Sequence, residues 1–378
     1  MLKVAAAQEL NSVNNKVLFL TSVSKDARIG RRINALKGLG IRPTVLSFER
    51  EGFFGDSKTD YISLGKLEHG NYAKRLTPFI RALPIIRQYA KDCSSIYCFG
   101  LDMLLLAHMI KPSLAGRVKL IYEVADIREV MFGDTAKAKV MRGFERFLVR
   151  RLDLLVLTSD AYYKHFYKGT LNLDVPYQLI ENKLDHNALS VALEPSELRY
   201  QLGYFGLLRC SNTLAIIKNL AEQGKSVYMR GFARSPITDS DISEATKLED
   251  ITYGGPYDAP EDLPAMYGSV DMVWAAYPYE ENRQEGNWRW ARTNRFYEAC
   301  YFGKPMITQK GTEDGRVVEA LDIGLNLDLS DIEAASREVA AITPEKLERW
   351  QENIKALPKK VYMYTSEHEE LAQFLSQA

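Results

Sequence analysis

The sequence has few cysteines, no long apolar run and no excess of either charge. Its 378 residues include four cysteines, none in a CxxC pair, which argues against a disulfide framework and a thiolate metal site. We expect buried free thiols in a reducing compartment at Cys93, Cys98, Cys210 and Cys300. No apolar run approaches the roughly 20 residues of a membrane span, and the N-terminus lacks the apolar core of a secretory signal. The sequence therefore predicts a cytoplasmic protein.

Several motifs that mark nucleotide or nucleophile chemistry are missing as well. No GxGxxG follows a strand pattern and no GxxxxGK[ST] occurs, which argues against a nicotinamide dehydrogenase and a P-loop kinase. The GxSxG turn of a nucleophilic serine is also absent. Any nucleotide must therefore be held by other means.

The zero net charge hides a division between the two halves of the chain. Residues 1–190 carry 29 Lys and Arg against 19 Asp and Glu, whereas the remaining residues carry 20 against 30. This division of charge argues against a protein that binds duplex nucleic acid, so we expect no nucleic-acid partner. The basic half is suited to an anionic surface.

Short apolar runs alternate with helical patterns along the whole chain. In the first half the predicted strands are residues 17–20, 43–48, 61–64, 95–98, 118–123, 154–157 and 178–180, and the predicted helices are residues 29–39, 72–90, 101–110 and 136–151. The pattern restarts with predicted strands at 201–205, 227–229, 251–253, 271–276 and 305–308. Such alternation is typical of two doubly wound parallel sheets.

The domain organisation follows from where this pattern stops and restarts. Residues 1–15 are predicted to be a loose leader, 16–185 a first Rossmann-like domain and 186–345 a second one. Residues 183–198 have little periodicity and are predicted to contain the linker. Residues 346–378 are predicted to be helical.

One helix, from about Thr293 to Gly303, is the most informative stretch of the sequence. The Thr293 hydroxyl can cap its start, and Gly303 stands where a left-handed residue ends a helix. Asn294 and Glu298 are four positions apart and share one face. Tyr297 and Tyr301 are predicted to flank them, whereas the other side should pack into a core through Phe296, Ala299 and Cys300. A carboxylate and an amide on one rigid face can grip adjacent hydroxyls of a ribose or a sugar, although a solvated polar face would look the same.

Ligands of open parallel sheets bind beyond the carboxyl ends of the strands, which selects further candidates. In the first half these are the carboxylates Asp26, Glu123 and Asp126. In the second half they are Gly206, Arg209, Gly231, Tyr277 and Tyr279.

The segments TNRFYEACYFGKPMIT, GYFGLLR and GTEDG resemble glycosyltransferase family 4 and related bacterial polysaccharide glycosyltransferases. In the first half SKDARIGRRINALKGLG and LIYEVADIREV are similar to the acceptor-side segments of such enzymes. The resemblance covers about residues 16–330 and implies the α/β GT-B fold, in which two Rossmann-like domains face each other across a cleft. It also implies that the C-terminal helices, here residues 346–378, cross back to the first domain.

The resemblance also implies roles for individual residues. Glu298 would hold the ribose of a nucleotide sugar, Arg209 the diphosphate, and Asn294 and Arg295 the phosphates or the donor sugar, while Gly206 lets the backbone approach. The full predicted donor-binding set is Gly206, Arg209, Gly231, Tyr277, Tyr279, Arg292, Asn294, Arg295, Tyr297 and Glu298. Asp126 is the first choice for the catalytic or acceptor-binding carboxylate, with Glu123 and Asp26 as reserves.

The family further implies a retaining hexosyltransferase without a metal or another cofactor, because side chains and helix dipoles neutralise the leaving diphosphate. One position departs from the family pattern: Trp290 replaces the glutamate that many members carry eight residues before Glu298. This replacement leaves the contacts with the donor sugar and the stereochemical outcome open.

The leading hypothesis is therefore an enzyme that transfers a sugar from a nucleotide-diphosphate donor to a glycan or lipid-linked acceptor in bacterial polysaccharide biosynthesis. A nucleotide-sugar epimerase of the same fold and a non-catalytic partner of another transferase are the alternatives. Two basic helix patterns in the first half, at 72–90 and 136–151, also predict peripheral binding to the anionic inner face of the cell membrane. An amphipathic helix that packs on the sheet with a solvated charged face would give the same pattern.

Overall fold

The buried apolar runs form two parallel sheets, one in each half of the chain. The computed structural model describes residues 15–23, 27–49, 60–67, 75–114, 118–185, 199–280 and 286–377. The predicted leader and most of the predicted linker lie outside these ranges, as does Asp26. All four cysteines are buried and free, as expected from their spacing.

Seven described strands form the first sheet, in the order β3-β2-β1-β4-β5-β6-β7. They are β1 (Lys16–Thr21), β2 (Arg42–Glu49), β3 (Ile62–Lys66), β4 (Ser95–Phe99), β5 (Lys119–Val124), β6 (Leu154–Leu157) and β7 (Tyr177–Leu179). Every neighbouring pair is parallel. The helices around them are α1 (Ala27–Gly38), α2 (Leu76–Ala90), α3 (Leu101–Ile110) and α4 (Ala136–Val149), and a π-helix (Tyr162–Thr170) follows β6. The strand order reverses between β1 and β4, so the crevice for a ligand opens there.

Six described strands form the second sheet, in the order β10-β9-β8-β11-β12-β13. They are β8 (Tyr200–Leu208), β9 (Val227–Ala233), β10 (Ile251–Tyr253), β11 (Val270–Trp274), β12 (Met306–Gln309) and β13 (Gly324–Leu327). The sequence patterns missed β13, whose residues are only half-buried except for the last. Helices α5 (Ser211–Glu222), α6 (Asp239–Ala245), α7 (Leu263–Gly268), α8 (Asn287–Trp290), α9 (Asn294–Phe302), α10 (Glu313–Leu321) and α11 (Ile332–Ala340) accompany them.

Two further helices, α12 (Pro344–Lys355) and α13 (Glu367–Ser376), end the chain and belong to different units. The first unit comprises Met1–Glu181 and Thr365–Ala378, and the second comprises Asn182–Tyr364. Helix α12 belongs to the second unit because its buried Ile354 packs in that unit's core. Only α13 returns to the first unit, so the return begins about twenty residues later than the predicted boundary at 346.

Candidate functional site

Helix α9 begins and ends as its sequence predicts. The Thr293 hydroxyl accepts a hydrogen bond from the amide of Phe296 at 3.2 Å, which satisfies one of the unpaired donors of the first turn. Gly303 follows the helix with a φ of 69°, in the left-handed region. Because α9 leads into the parallel strand β12, its N-terminus lies at the carboxyl edge of the second sheet.

The faces of α9 agree with the prediction except at Tyr297. Phe296, Ala299 and Cys300 are buried, and Asn294 is exposed. Tyr297 was predicted to flank the polar face, but it is 0% exposed, with its ring edge-on to Phe296 at 5.4 Å. Its side chain therefore packs in the core and does not flank the polar face. The sequence could not show this because α9 is covered on two sides.

Two glycines let β8 and β9 approach each other at the carboxyl edge. Gly206 and Gly231 are partners in the register and have φ values of 101° and 134°. A β-carbon on Gly206 would lie 2.7 Å from Nη1 of Arg295, so the guanidinium of Arg295 lies directly against the backbone of Gly206. Three predicted donor-binding residues are thus brought together.

Arg295 is fixed at this place by a hydrogen bond to the neighbouring strand. Its Nη1 donates to the carbonyl oxygen of Phe205 at 2.8 Å. Its Nε is buried and has no hydrogen-bond partner among the described residues. A buried donor without a partner is unfavourable, so this position suits an additional acceptor such as an anionic ligand.

Glu298 lies one turn further along α9 and accepts a hydrogen bond from the hydroxyl of Tyr267 at 2.8 Å. Burial, and then the charge of Glu298, raise the pKa of Tyr267 well above its usual value. The same two causes raise the pKa of Tyr257 to about 12. Both phenols therefore remain protonated and can donate near this carboxylate.

Arg209, the predicted diphosphate partner, follows β8 and is half-buried. Its guanidinium carbon lies 5.9 Å from the ring centre of Tyr277, so these two predicted residues are neighbours. The thiol of Cys210 accepts from the amide of Thr213 at 3.4 Å and from the amide of Tyr279 at 3.3 Å. Cys210 thus joins the segments that follow β8 and β11, a role that its position in the sequence did not reveal.

Arg292, also predicted to bind the donor, forms an ion pair at the start of α10. Its Nε donates to Oδ1 of Asp314 at 2.6 Å, and its guanidinium carbon lies 4.0 Å from the ring centre of Phe296. Asp314 is 2% exposed and also accepts from the amide of Thr293 at 2.8 Å. This ion pair holds the N-terminus of α9 in place. Asp314 lies in the GTEDG segment, the only sequence signal that pointed to it.

In the first unit Glu123, the predicted catalytic reserve, is buried. Its Oε2 accepts from Nε of Arg32 at 3.1 Å and from the hydroxyl of Tyr97 at 2.5 Å. Nη1 of Arg32 lies 2.6 Å from Nε2 of His368, on α13. With a side chain only 1% exposed, Glu123 belongs to a buried network that holds α13, and its role as a catalytic reserve stays a prediction.

Asp126 remains the exposed carboxylate at the carboxyl edge of the first sheet. It stands two residues after β5, and the carbonyl oxygen of Ala125 accepts from the Thr158 hydroxyl at 3.0 Å and from the Tyr162 hydroxyl at 3.4 Å. The backbone before Asp126 is therefore anchored to the end of β6 and to the π-helix.

The described residues contain no group of three or more His, Cys, Asp and Glu side chains placed to hold a metal ion. Metal-independent chemistry stays a prediction of the resemblance. Within the same ranges, no helix combines the length and apolar character needed to cross a bilayer.

Comparisons with known proteins agree with the GT-B architecture. No protein-family model matches the sequence. The chain is similar to the succinoglycan biosynthesis protein ExoL of Rhizobium meliloti, with 28% identity over 351 residues that cover 87% of this chain and 85% of ExoL.

Solved structures match over nearly the whole chain. Anabaena HepE in complex with UDP superposes with a TM-score of 0.69 at 17% identity, covering 96% of this chain and 99% of HepE. HepE has also been solved with UDP-glucose. WaaG, a glycosyltransferase involved in lipopolysaccharide biosynthesis, superposes with a TM-score of 0.62 at 12% identity, covering 96% of this chain and all of WaaG. The chain has the GT-B fold, which confirms the predicted fold class.

Proposed function

We propose that this protein is a glycosyltransferase that moves a sugar from a nucleoside-diphosphate donor to a glycan or lipid-linked acceptor. The observation that carries the proposal is the meeting of Gly206, Gly231 and Arg295 at the carboxyl edge of the second sheet, with Glu298 one turn further along α9. This edge is where open parallel sheets bind ligands. The similarity to ExoL supports a role in bacterial polysaccharide synthesis.

The donor is proposed to bind with its diphosphate at the N-terminus of α9. Helix N-termini attract anions through their amides and dipole. Arg295 in the first turn presents a buried Nε without a partner among the described residues, and Arg209 follows the neighbouring strand. Guanidinium forks match phosphate oxygens, so the two arginines would neutralise the leaving diphosphate. Glu298 would accept from a ribose hydroxyl.

We propose Asp126 as the carboxylate that meets the acceptor hydroxyl. It is exposed and anchored through the backbone of Ala125. A carboxylate in that position can accept the proton or the hydrogen bond of a reacting hydroxyl, which is the usual task of a general base.

We also propose that the transferred sugar is a hexose and that the anomeric configuration is retained. Trp290 ends α8, four residues before the start of α9, at the position where many members of the family that this sequence resembles carry a glutamate. Its indole gives the donor sugar an apolar neighbour in place of a carboxylate. Proton NMR of the first-formed product distinguishes retention from inversion, since the two anomers have different coupling constants at the anomeric proton.

Finally, we propose that the first unit lies on an anionic membrane surface. Helix α4 exposes Val140 (71%) and Phe147 (55%), and α2 exposes Leu76 (64%) and Ile80 (55%). Exposed cations accompany them: Lys137 and Lys139 lie on α4, and Arg150 and Arg151 directly follow it. Exposed apolar side chains among cations are typical of interfacial helices. Ile86 of α2 is buried in the core and takes no part in this surface.

Release of nucleoside diphosphate in the presence and absence of acceptor tests the proposed activity. A panel of nucleotide sugars, including UDP-glucose, is incubated with the protein and a lipid-linked oligosaccharide fraction. A glycosyltransferase releases nucleoside diphosphate at a rate that rises with the concentration of added acceptor. Conversion of a nucleotide sugar without acceptor would favour an epimerase, and binding without any turnover would favour a non-catalytic partner.

A further inference from the structure

Tyr267 is fully buried beside Glu298, and no sequence pattern singled it out. It lies on α7 and is 0% exposed. Its ring stacks on Phe302 of α9, with the centroids 4.8 Å apart and the planes at 24°, and meets Phe205 of β8 at 5.5 Å. Three elements therefore fix the ring, and the direction of its hydroxyl is fixed with it.

Tyr267 directs its hydroxyl at the carboxylate of Glu298. Its hydroxyl donates to Oε2 of Glu298 at 2.8 Å. Because burial and the carboxylate keep the phenol protonated, the hydroxyl acts as a donor throughout the physiological range. Hydrogen bonds to charged groups are stronger than those between neutral groups, so this contact restrains the carboxylate effectively.

A glutamate has three rotatable bonds, and holding it in one rotamer opposes its conformational entropy. A carboxylate that is already held loses less freedom when it binds a ligand, which raises affinity through preorganisation. Each carboxylate carries about four lone-pair directions, so accepting from Tyr267 leaves capacity for a ribose hydroxyl.

We propose that Tyr267 is a positioning residue that holds Glu298 in the orientation in which it recognises a ribose hydroxyl of the nucleotide. The inference rests on the proposed function, because it assumes that Glu298 meets the ribose. Tyr267 itself is buried behind Glu298 and does not contact the ligand.

Discrimination between ribose and deoxyribose tests this role, since a merely structural residue would not change it. Calorimetry measures the affinities for UDP, 2′-deoxy-UDP and 3′-deoxy-UDP, and for the same forms of ADP and GDP should one of these bind more tightly. For the wild-type protein we expect one deoxy form to bind about tenfold to a hundredfold more weakly, the scale of one hydrogen bond to a charged group.

Tyr267→Phe keeps the ring and removes the hydroxyl. We expect the ribose-to-deoxyribose ratio to fall by about twofold to tenfold in this variant, the scale of one ordinary hydrogen bond. In a Glu298→Gln background the same change should have no further effect on the ratio. Tyr163→Phe is the matched control, because its hydroxyl donates to Asp174 at 2.9 Å in the first unit; it should leave the ratio unchanged.

The outcomes separate the inference from the proposed function. An unchanged ratio in Tyr267→Phe, together with a lowered ratio in Glu298→Gln, would overturn the role of Tyr267 and leave the ribose contact standing. No discrimination by the wild-type protein would overturn the ribose contact itself. A crystal structure of the wild-type protein with bound UDP is a second check that needs no variant. Oη of Tyr267 should stay within hydrogen-bond distance of Glu298 while that carboxylate meets the ribose, and a tyrosine turned away would contradict the inference.

Discussion

A β-carbon on Gly231 would lie 1.8 Å from the carbonyl oxygen of Gly206, its partner on the neighbouring strand. The atom that the added carbon would meet belongs to the backbone, so no change of side-chain rotamer can relieve this contact. The close approach of β8 and β9 therefore depends on this glycine, and it places the backbone of Gly206 against Arg295.

Gly231→Ala should accordingly disrupt the carboxyl edge of the second sheet. We expect a loss of about 2–5 kcal/mol in the free energy of unfolding, from overpacking and from a strained φ together. Gly224→Ala is the matched control: its φ of 74° is also positive, but nothing lies within 4 Å of the added carbon. That variant should lose only about 1–2 kcal/mol. Urea unfolding measures both, and equal losses would show that the close approach is not needed.

Arg209→Ala should weaken the binding of a nucleoside diphosphate far more than that of the nucleoside. Only the diphosphate offers charged oxygens to the guanidinium, and a charge-assisted hydrogen bond contributes about 1.5–3 kcal/mol. Calorimetry with UDP and uridine measures the difference. Arg316→Ala, which removes an exposed arginine paired with Glu313, is the control and should change neither affinity. Equal losses for both ligands in Arg209→Ala would mean that Arg209 is structural.

Asp126→Asn should reduce turnover and leave donor binding intact. The change keeps the shape of the side chain but removes the basic oxygen, and general-base groups contribute about 10²–10⁴-fold to the rate. Asp134→Asn, at another exposed carboxylate of the same unit, should behave like the wild type. Wild-type turnover in Asp126→Asn would move the role to Asp26, which lies outside the described residues.

The strands of both sheets could be predicted because parallel strands buried on both faces are continuous apolar runs. β13 could not be predicted in this way, because most of its residues are only half-buried. The capped ends of α9 could also be predicted, because Thr293 and Gly303 act on backbone groups within a few residues.

The burial of Glu123 could not be predicted in the same way. Its partner Arg32 is 91 positions away in the sequence. Arg32 in turn contacts His368, which is 336 positions from Arg32. Strand-end position alone made Glu123 and Asp126 equivalent candidates. The two carboxylates are distinguished by the buried contacts that form where α13 returns to the first unit. The spacing of residues in the sequence does not predict such contacts. The contact of Tyr267 with Glu298, 31 positions apart, is of the same kind.

The membrane proposal makes Val140 and Phe147 sensitive positions. Replacing both with serine should weaken binding to vesicles rich in anionic lipid, because about 0.8 kcal/mol is lost for each buried CH₂ that is removed. Leu207 and Phe232, which the second unit exposes to 43% and 57%, provide the control pair, and their replacement by serine should leave binding unchanged. Co-sedimentation at low and high salt measures both. Binding that changes with neither the lipid charge nor the salt concentration would favour an acceptor in solution.

The central claim is that the second unit binds a nucleoside diphosphate through α9, and calorimetry of Glu298→Ala tests it most directly. A panel of nucleoside diphosphates and nucleotide sugars is first screened by thermal shift, because a bound ligand raises stability by mass action. The tightest ligand is then titrated into the wild-type protein and the variant. We predict that the fold survives and that affinity falls by about tenfold to a hundredfold, the loss of one hydrogen bond to a charged group. Unchanged affinity in Glu298→Ala, or no binding of any member of the panel to the wild-type protein, would contradict the account.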